Sequence, residues 1–123
     1  MKGMIMDSIA IHIITDMYKC NPESLGKSAF GEKVLREAIS RSGLNAIHIE
    51  SHQFQPSGYT AAAVLVESHI SIHTWPELGT VLLDIFTCSE EKKAFAALEV
   101  LKKAFAPDKT EQKILRRGGR TAL

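Results

Sequence analysis

The dozen residues Val66-Glu67-Ser68-His69-Ile70-Ser71-Ile72-His73-Thr74-Trp75-Pro76-Glu77 hold two serines, two histidines, two glutamates and the single tryptophan. A half-buried strand alternates apolar with inert polar residues. Here the polar positions are nearly all groups that move protons or attack carbonyls. His69 and His73 form an H-x3-H pair, which on a helix suggests zinc. On a strand the same spacing keeps both rings on one face but about 13 Å apart. That is too far for one ion, so no metal is expected. Ser68 or Ser71 as nucleophile with His73 as base is a second arrangement, but no G-x-S-x-G elbow supports it. Cys88 activated by His73 is a third, set against Cys88 as a small buried hydrophobe at a strand end. Spacing alone leaves these open. His12 and His48 fall inside strand alternation and read as ordinary surface or core histidines.

The elements that must hold these groups follow from patterning. Ser8–Asp16 alternates weakly and reads as a strand. Asn21-Pro22-Glu23 carries helix-start signals, and the main helix is expected over about Ser28 to Ser42, with Phe30, Val34, Leu35, Ala38 and Ile39 on one face. Gly43 supplies a left-handed cap. Asn45–Phe54 alternates again, and Pro56-Ser57-Gly58 turns into Thr60–Val66, a strand apolar enough to be covered on both faces. Trp75–Gly79 is expected to be a loop, because Pro76 and Gly79 break a ladder. Thr80–Thr87 reads as a buried strand. Ser89 with Glu90 and Glu91 opens a second helix, with Phe95, Leu98, Leu101, Lys102 and Phe105 on its inner stripe and Pro107 at its end. Gln112–Leu115 is a short last strand.

This order predicts an α+β fold, a two-layer sandwich of one antiparallel sheet with two main helices on one face. The other face needs a partner, and a second copy of the chain is the simplest one. A helix flanked by strands occurs in each half, without a residue-level repeat.

With 123 residues, the chain is expected to be a single domain over residues 1–123. Hydrophobic residues at 45% and charged residues at 24% exclude disordered, collagenous and membrane classes. The formal net charge of +1 gives no electrostatic case for nucleic acid, and the basic run Lys113–Arg120 reads as a solvated tail. No apolar stretch approaches a membrane span, and Met1–Asp7 lacks the features of a secretory signal. Cys20 and Cys88 make a poor disulfide framework. The expectation is a cytoplasmic protein with reduced thiols.

Glu67-Ser68-His69 followed by Ile72-His73-Thr74-Trp75-Pro76-Glu77 resembles the self-processing segment of the small prokaryotic S-adenosylmethionine decarboxylase proenzymes. The similarity continues through Phe54-Gln55-Pro56-Ser57-Gly58-Tyr59-Thr60 and Asp84-Ile85-Phe86-Thr87-Cys88. His12, Asp16, Tyr18 and Cys20 are arranged as in that family. The chain departs from it at Thr60, where Ser is usual, at Ala61, where Gly often follows, at Val66, and at Ala10-Ile11, where Gly-Arg usually precedes the histidine.

The resemblance implies a covalent pyruvoyl cofactor made from Ser68. The Ser68 hydroxyl attacks the Glu67 carbonyl, the peptide becomes an ester, and elimination cuts the chain into residues 1–67 and 68–123. The dehydroalanine left at 68 hydrolyses to pyruvoyl and ammonia. By resemblance His73 is the base that takes the Ser68 α-proton, and Thr60 is the hydroxyl that assists processing. The pyruvoyl carbonyl forms a Schiff base with the substrate amine and accepts the electrons released with CO2. Cys88 returns a proton, Phe54 stacks on adenine, and Glu77 holds the ribose hydroxyls. The sites lie across a homodimer, with Ser68 and Cys88 from one protomer and Phe54, Thr60, His73 and Glu77 from its neighbour. The implied activity decarboxylates S-adenosylmethionine, supplying aminopropyl groups for spermidine synthesis. Two alternatives are an arginine or ornithine decarboxylase on the same scaffold and an uncleaved partner subunit.

Overall fold

A computed structural model of the chain describes residues 8–119, so the segment Met1–Asp7 and the end of the basic run, Arg120, lie outside the described residues. Strand β1 (Ala10–Tyr18) buries Ile11, Ile13, Thr15 and Met17 on one face and turns His12, Ile14 and Asp16 to the other, as period-two alternation requires. Helix α1 (Ser28–Ser42) ends at Gly43, whose φ of 85° is the left-handed cap that glycine accommodates without a side-chain clash. Strands β2 (Ala46–Gln53), β3 (Tyr59–Leu65), β4 (Ser68–Trp75) and β5 (Thr80–Thr87) follow. Helix α2 (Glu91–Phe105) and strand β6 (Lys109–Arg117) complete the chain.

The six strands form one sheet in the order β2-β3-β4-β5-β1-β6, with antiparallel pairing throughout. Both helices lie on one face, α1 over β2 and β3 and α2 over β5 and β1. Leu35, Ala38, Leu98, Leu101 and Phe105 close a core on Ile13, Ile70, Ile72 and Ile85. The architecture is therefore the expected α+β two-layer sandwich.

Several boundaries differ from the sequence reading. Asn21-Pro22-Glu23 starts only a single 3₁₀ turn, Pro22–Ser24, in which the Asn21 side chain accepts the Glu23 N–H at 3.1 Å. α1 starts separately, after Lys27, whose side chain makes no cap; the Ser28 N–H is instead accepted by Gln53 Oε1 from β2 at 2.8 Å. Trp75–Gly79 contains a 3₁₀ turn, Pro76–Leu78. α2 begins two residues after Ser89, whose N–H donates to Thr87 Oγ1 at 2.9 Å. β6 is longer than the expected Gln112–Leu115 and exposed along its whole length. Its extent comes from backbone pairing with β1, which runs from Ala10↔Arg117 to Tyr18↔Lys109. Among the described residues β3 is covered on one face only: Ala61 and Ala63 are buried while Val64 is 50% exposed on the other.

That second face carries the polar pattern. Cross-strand register aligns Thr60, His73, Leu82 and Asp16 in one row, and Val64, His69, Phe86 and His12 in another. His69 stacks on Phe86 with ring centroids 5.3 Å apart. His12 Nε2 lies 3.1 Å from Asp84 Oδ1. The helix-covered face and this open face thus divide the chemistry-bearing residues between them.

Gly31 in α1 is a close-approach glycine. A Cβ there would sit 2.2 Å from Tyr59 Cε1. The Tyr59 ring cannot move aside, since it is fully buried and its hydroxyl donates to Ser24 O at 2.8 Å. Gly31→Ala gains up to about 1 kcal/mol of helix propensity but overpacks the core at about 1–3 kcal/mol. The expected net result is a loss of up to about 2 kcal/mol, read as a lower urea midpoint. A raised midpoint would contradict this packing.

Candidate active site

Two groups of residues stand apart in the protomer. The first surrounds the β3–β4 hairpin. Leu65 pairs with Ser68, leaving Val66 and Glu67 as the two-residue link. Glu67 has φ of 58°, a left-handed conformation that costs a non-glycine residue about 1–2 kcal/mol. It is tolerated because both sides are anchored: Val66 N–H donates to Asn45 O at 3.1 Å, and Cys88 N–H donates to the Glu67 carbonyl at 3.3 Å. Ser68 is 8% exposed, and its hydroxyl donates to Thr87 Oγ1 at 2.7 Å. The junction of residues 67 and 68 therefore combines a strained backbone, a polarised carbonyl and a positioned hydroxyl.

The second group lines a cleft of about 410 Å³ that includes Phe54, Thr60, His73, Trp75, Pro76 and Glu77. Thr60 and His73 face each other across β3 and β4, with Thr60 Oγ1 and His73 Nδ1 2.9 Å apart. Phe54 is 46% exposed and meets His52 edge-on at 4.8 Å. Trp75 lies beside His73, ring centroids 6.4 Å apart. The rim is fixed by Thr74 on the other face, which accepts the Tyr59 N–H at 2.9 Å and donates to Leu25 O at 2.8 Å. Gly58, at φ of 107°, lets Pro76 pack close to its backbone. Glu77 is exposed in the turn after β4.

Within one chain the two groups do not meet. Ser68 starts β4 on the helix-covered face, and His73 is five residues on along the open face, about 17 Å of strand. Neither a Ser68–His73 nor a Cys88–His73 pair is therefore formed inside the protomer. Ser71 and His73 share the open face, but Ser71 lies opposite Asp84 and Ala62. Of the two free thiols, Cys20 is buried, and desolvation pushes it up to about 11. Cys88 is half-buried, and its N–H bond to the Glu67 carbonyl places it beside the junction.

The family model for S-adenosylmethionine decarboxylase matches residues 11–118. The chain belongs to the S-adenosylmethionine decarboxylase family.

It is 41% identical over 113 residues to the S-adenosylmethionine decarboxylase proenzyme of Methanococcus maripaludis strain S2, covering 92% of this chain and 93% of that one. It is 35% identical over 111 residues to the proenzyme of Hydrogenobaculum sp. strain Y04AAS1, covering 90% and 83%. The crystal structure of the adenosylmethionine decarboxylase from Aquifex aeolicus superposes with a TM-score of 0.88 at 30% identity, covering 91% of this chain and 92% of that chain. The Trypanosoma brucei enzyme shares the fold at 16% identity, with a TM-score of 0.64 over 85% of this chain and 45% of its own. For a member of the S-adenosylmethionine decarboxylase family, both residue groups lie inside the matched segment. Two neighbours of these groups, Trp75 and Thr87, carry no role in the sequence reading. Trp75 was visible in the central stretch but had no partner to give it a role. Thr87 could be found only by knowing that β5 lies beside β4.

Proposed function

We propose that this chain decarboxylates S-adenosylmethionine, after cleaving itself between Glu67 and Ser68 into residues 1–67 and 68–123. The observation that carries this reading is the Glu67–Ser68 junction. Its carbonyl is held by the Cys88 N–H, its φ is left-handed, and the only hydroxyl on the following residue is buried beside it. The residues fit the pyruvoyl origin: a serine with a β-oxygen leaving group follows a peptide poised for attack. Once formed at position 68, that group supplies the electron sink for loss of CO2.

The protein's own groups divide the remaining work. The Glu67 carbonyl oxygen gains charge as Ser68 Oγ attacks, and the Cys88 amide stabilises it. For His73 to take the Ser68 α-proton at Nε2, its Nδ1–H must donate to Thr60 Oγ1. That tautomer leaves the Thr60 O–H free to donate in turn. Cys88 Sγ returns a proton to the substrate carbon. Phe54 offers its face to adenine and the sulfonium, with Glu77 at the ribose hydroxyls.

The separation of the two groups supports a site shared between two copies of the chain. Ser68 and Cys88 come from one protomer, and Phe54, Thr60, His73 and Glu77 from its neighbour, the open faces of the sheets packed together. Ile14, Val64, Leu82 and Phe86 give that face an apolar component. We place this homodimer in the cytoplasm; among the described residues no helix is long and apolar enough to cross a membrane.

The test is CO2 release from adenosylmethionine, arginine and ornithine, run with an intact-mass measurement. Release from adenosylmethionine by a two-fragment protein is expected. Release from arginine or ornithine alone would move the reading to those substrates, and a single uncleaved inactive chain would favour a partner subunit. The relatives' names favour adenosylmethionine.

Thr60 adds a prediction. Its β-branch stiffens χ1, so Thr60→Ser is expected to raise the cleavage rate about two- to fivefold. Equal rates on a denaturing gel would count against a role for rotamer freedom there.

A further inference from the structure

The geometry points to Thr87 as the positioning residue for the nucleophile in self-cleavage, an inference that rests on the processing just proposed. Thr87 is fully buried at the end of β5, directly opposite Ser68 in the β4–β5 register. Its Oγ1 accepts the Ser68 O–H at 2.7 Å and the Ser89 N–H at 2.9 Å. The next residue, Cys88, gives its N–H to the Glu67 carbonyl. Three consecutive residues thus set the reacting groups: Thr87 holds the attacking oxygen, Cys88 holds the carbonyl, and Ser89 orients the Thr87 hydroxyl.

The chemical consequence follows from the donor and acceptor inventory. A serine hydroxyl has one hydrogen and two lone pairs. With its hydrogen committed to Thr87, Ser68 Oγ is confined to one staggered rotamer and keeps its lone pairs for carbon. In the step itself the Ser68 Oγ–Glu67 carbon bond forms and the Glu67 carbon–Ser68 nitrogen bond breaks. The hydroxyl proton ends on the freed amine, so the N→O shift needs no other reactant. Without the Thr87 acceptor, the buried Ser68 O–H turns to another partner and the attacking geometry becomes a minor population.

A rival account makes Thr87 only a turn-former, since a Thr oxygen accepting the N–H two residues on is a common local motif. The two accounts separate experimentally. Thr87→Val keeps the shape and removes the acceptor; Thr87→Ser keeps the acceptor and removes a methyl. Each is purified as the full chain, and the appearance of the two fragments is followed on a denaturing gel with thermal unfolding as the folding control. Hydroxylamine, which cuts esters but not amides, reports whether the 67–68 ester has formed.

Thr87→Val is expected to slow fragment formation by at least about tenfold and to be uncut by hydroxylamine, while Thr87→Ser stays within about threefold of wild type. Wild-type cleavage rates in Thr87→Val, or hydroxylamine cutting of its uncleaved chain, overturn the inference. So does a folded Thr87→Ser chain that stalls, because the methyl and not the hydroxyl would then matter; this arm decides if Thr87→Val does not fold. A wild-type chain that never cleaves removes the processing reading itself, which distinguishes that failure from this one.

Discussion

Ser68→Ala is expected to yield one intact chain of 123 residues with no decarboxylase activity. The residue must carry a β-heteroatom that can first attack the Glu67 carbonyl and then leave by elimination, and alanine has none. The fold should survive, because the substitution removes one buried hydroxyl that bonds to Thr87, a change of about 1 kcal/mol. Intact mass and CO2 release both report it. The wild type gives two fragments, the larger ending at Glu67, whereas Ser68→Ala gives a single mass with baseline release. A Ser68→Ala chain that still separates at that junction, or still turns over adenosylmethionine, would show that the electron sink has another origin.

The second large effect is restoration of cleavage by mixing two inactive chains. Ser68→Ala and His73→Ala are each expected to remain uncleaved when expressed alone. In a dimer whose sites span the interface, one mixed pair holds one site with both residues intact and one with neither. Co-expressed with different tags, the His73→Ala chain should therefore be cleaved, using the His73 of its Ser68→Ala neighbour, while the Ser68→Ala chain stays whole. Random pairing puts about half of the His73→Ala chains in mixed dimers, which sets the expected yield of fragments. The physical basis is the separation along β4: Ser68 and His73 lie about 17 Å of strand apart, too far to meet within one chain. If His73→Ala remains whole in verified mixed dimers, the site is not shared between protomers in this way.

The candidate residues are readable in the chain because they are concentrated, and their roles follow only from the family resemblance. Glu67, Ser68, His73 and Glu77 sit within eleven residues, and Cys88 follows soon after. The strands were readable where one face is buried, since Ile11, Ile13, Thr15 and Met17 alternate with His12, Ile14 and Asp16. β6 was read too short because all nine of its residues are exposed and none must be apolar; its length is a property of the β1 edge it pairs with. Asn21 and Pro22 gave a correct local capping signal, yet the chain makes only one turn there before starting α1 at Ser28. Local propensity reported a start but not how far the helix continues.

By itself the sequence determined the two-layer sandwich and the residue types available for chemistry, while the candidate bond at Glu67–Ser68 came from the resemblance of that stretch to a known family. Periodicity and side-chain chemistry are properties of neighbours along the chain, so they can be read from it directly. Tertiary structure decided which strands are neighbours, and with that which groups touch. It set β5 against β4, bringing the Thr87 hydroxyl to Ser68 and the Cys88 amide to the Glu67 carbonyl. It also put His73 with Thr60 at the far end of β4 and on the other face. Those contacts depend on strand order and register, which are set by how the whole chain buries its apolar faces.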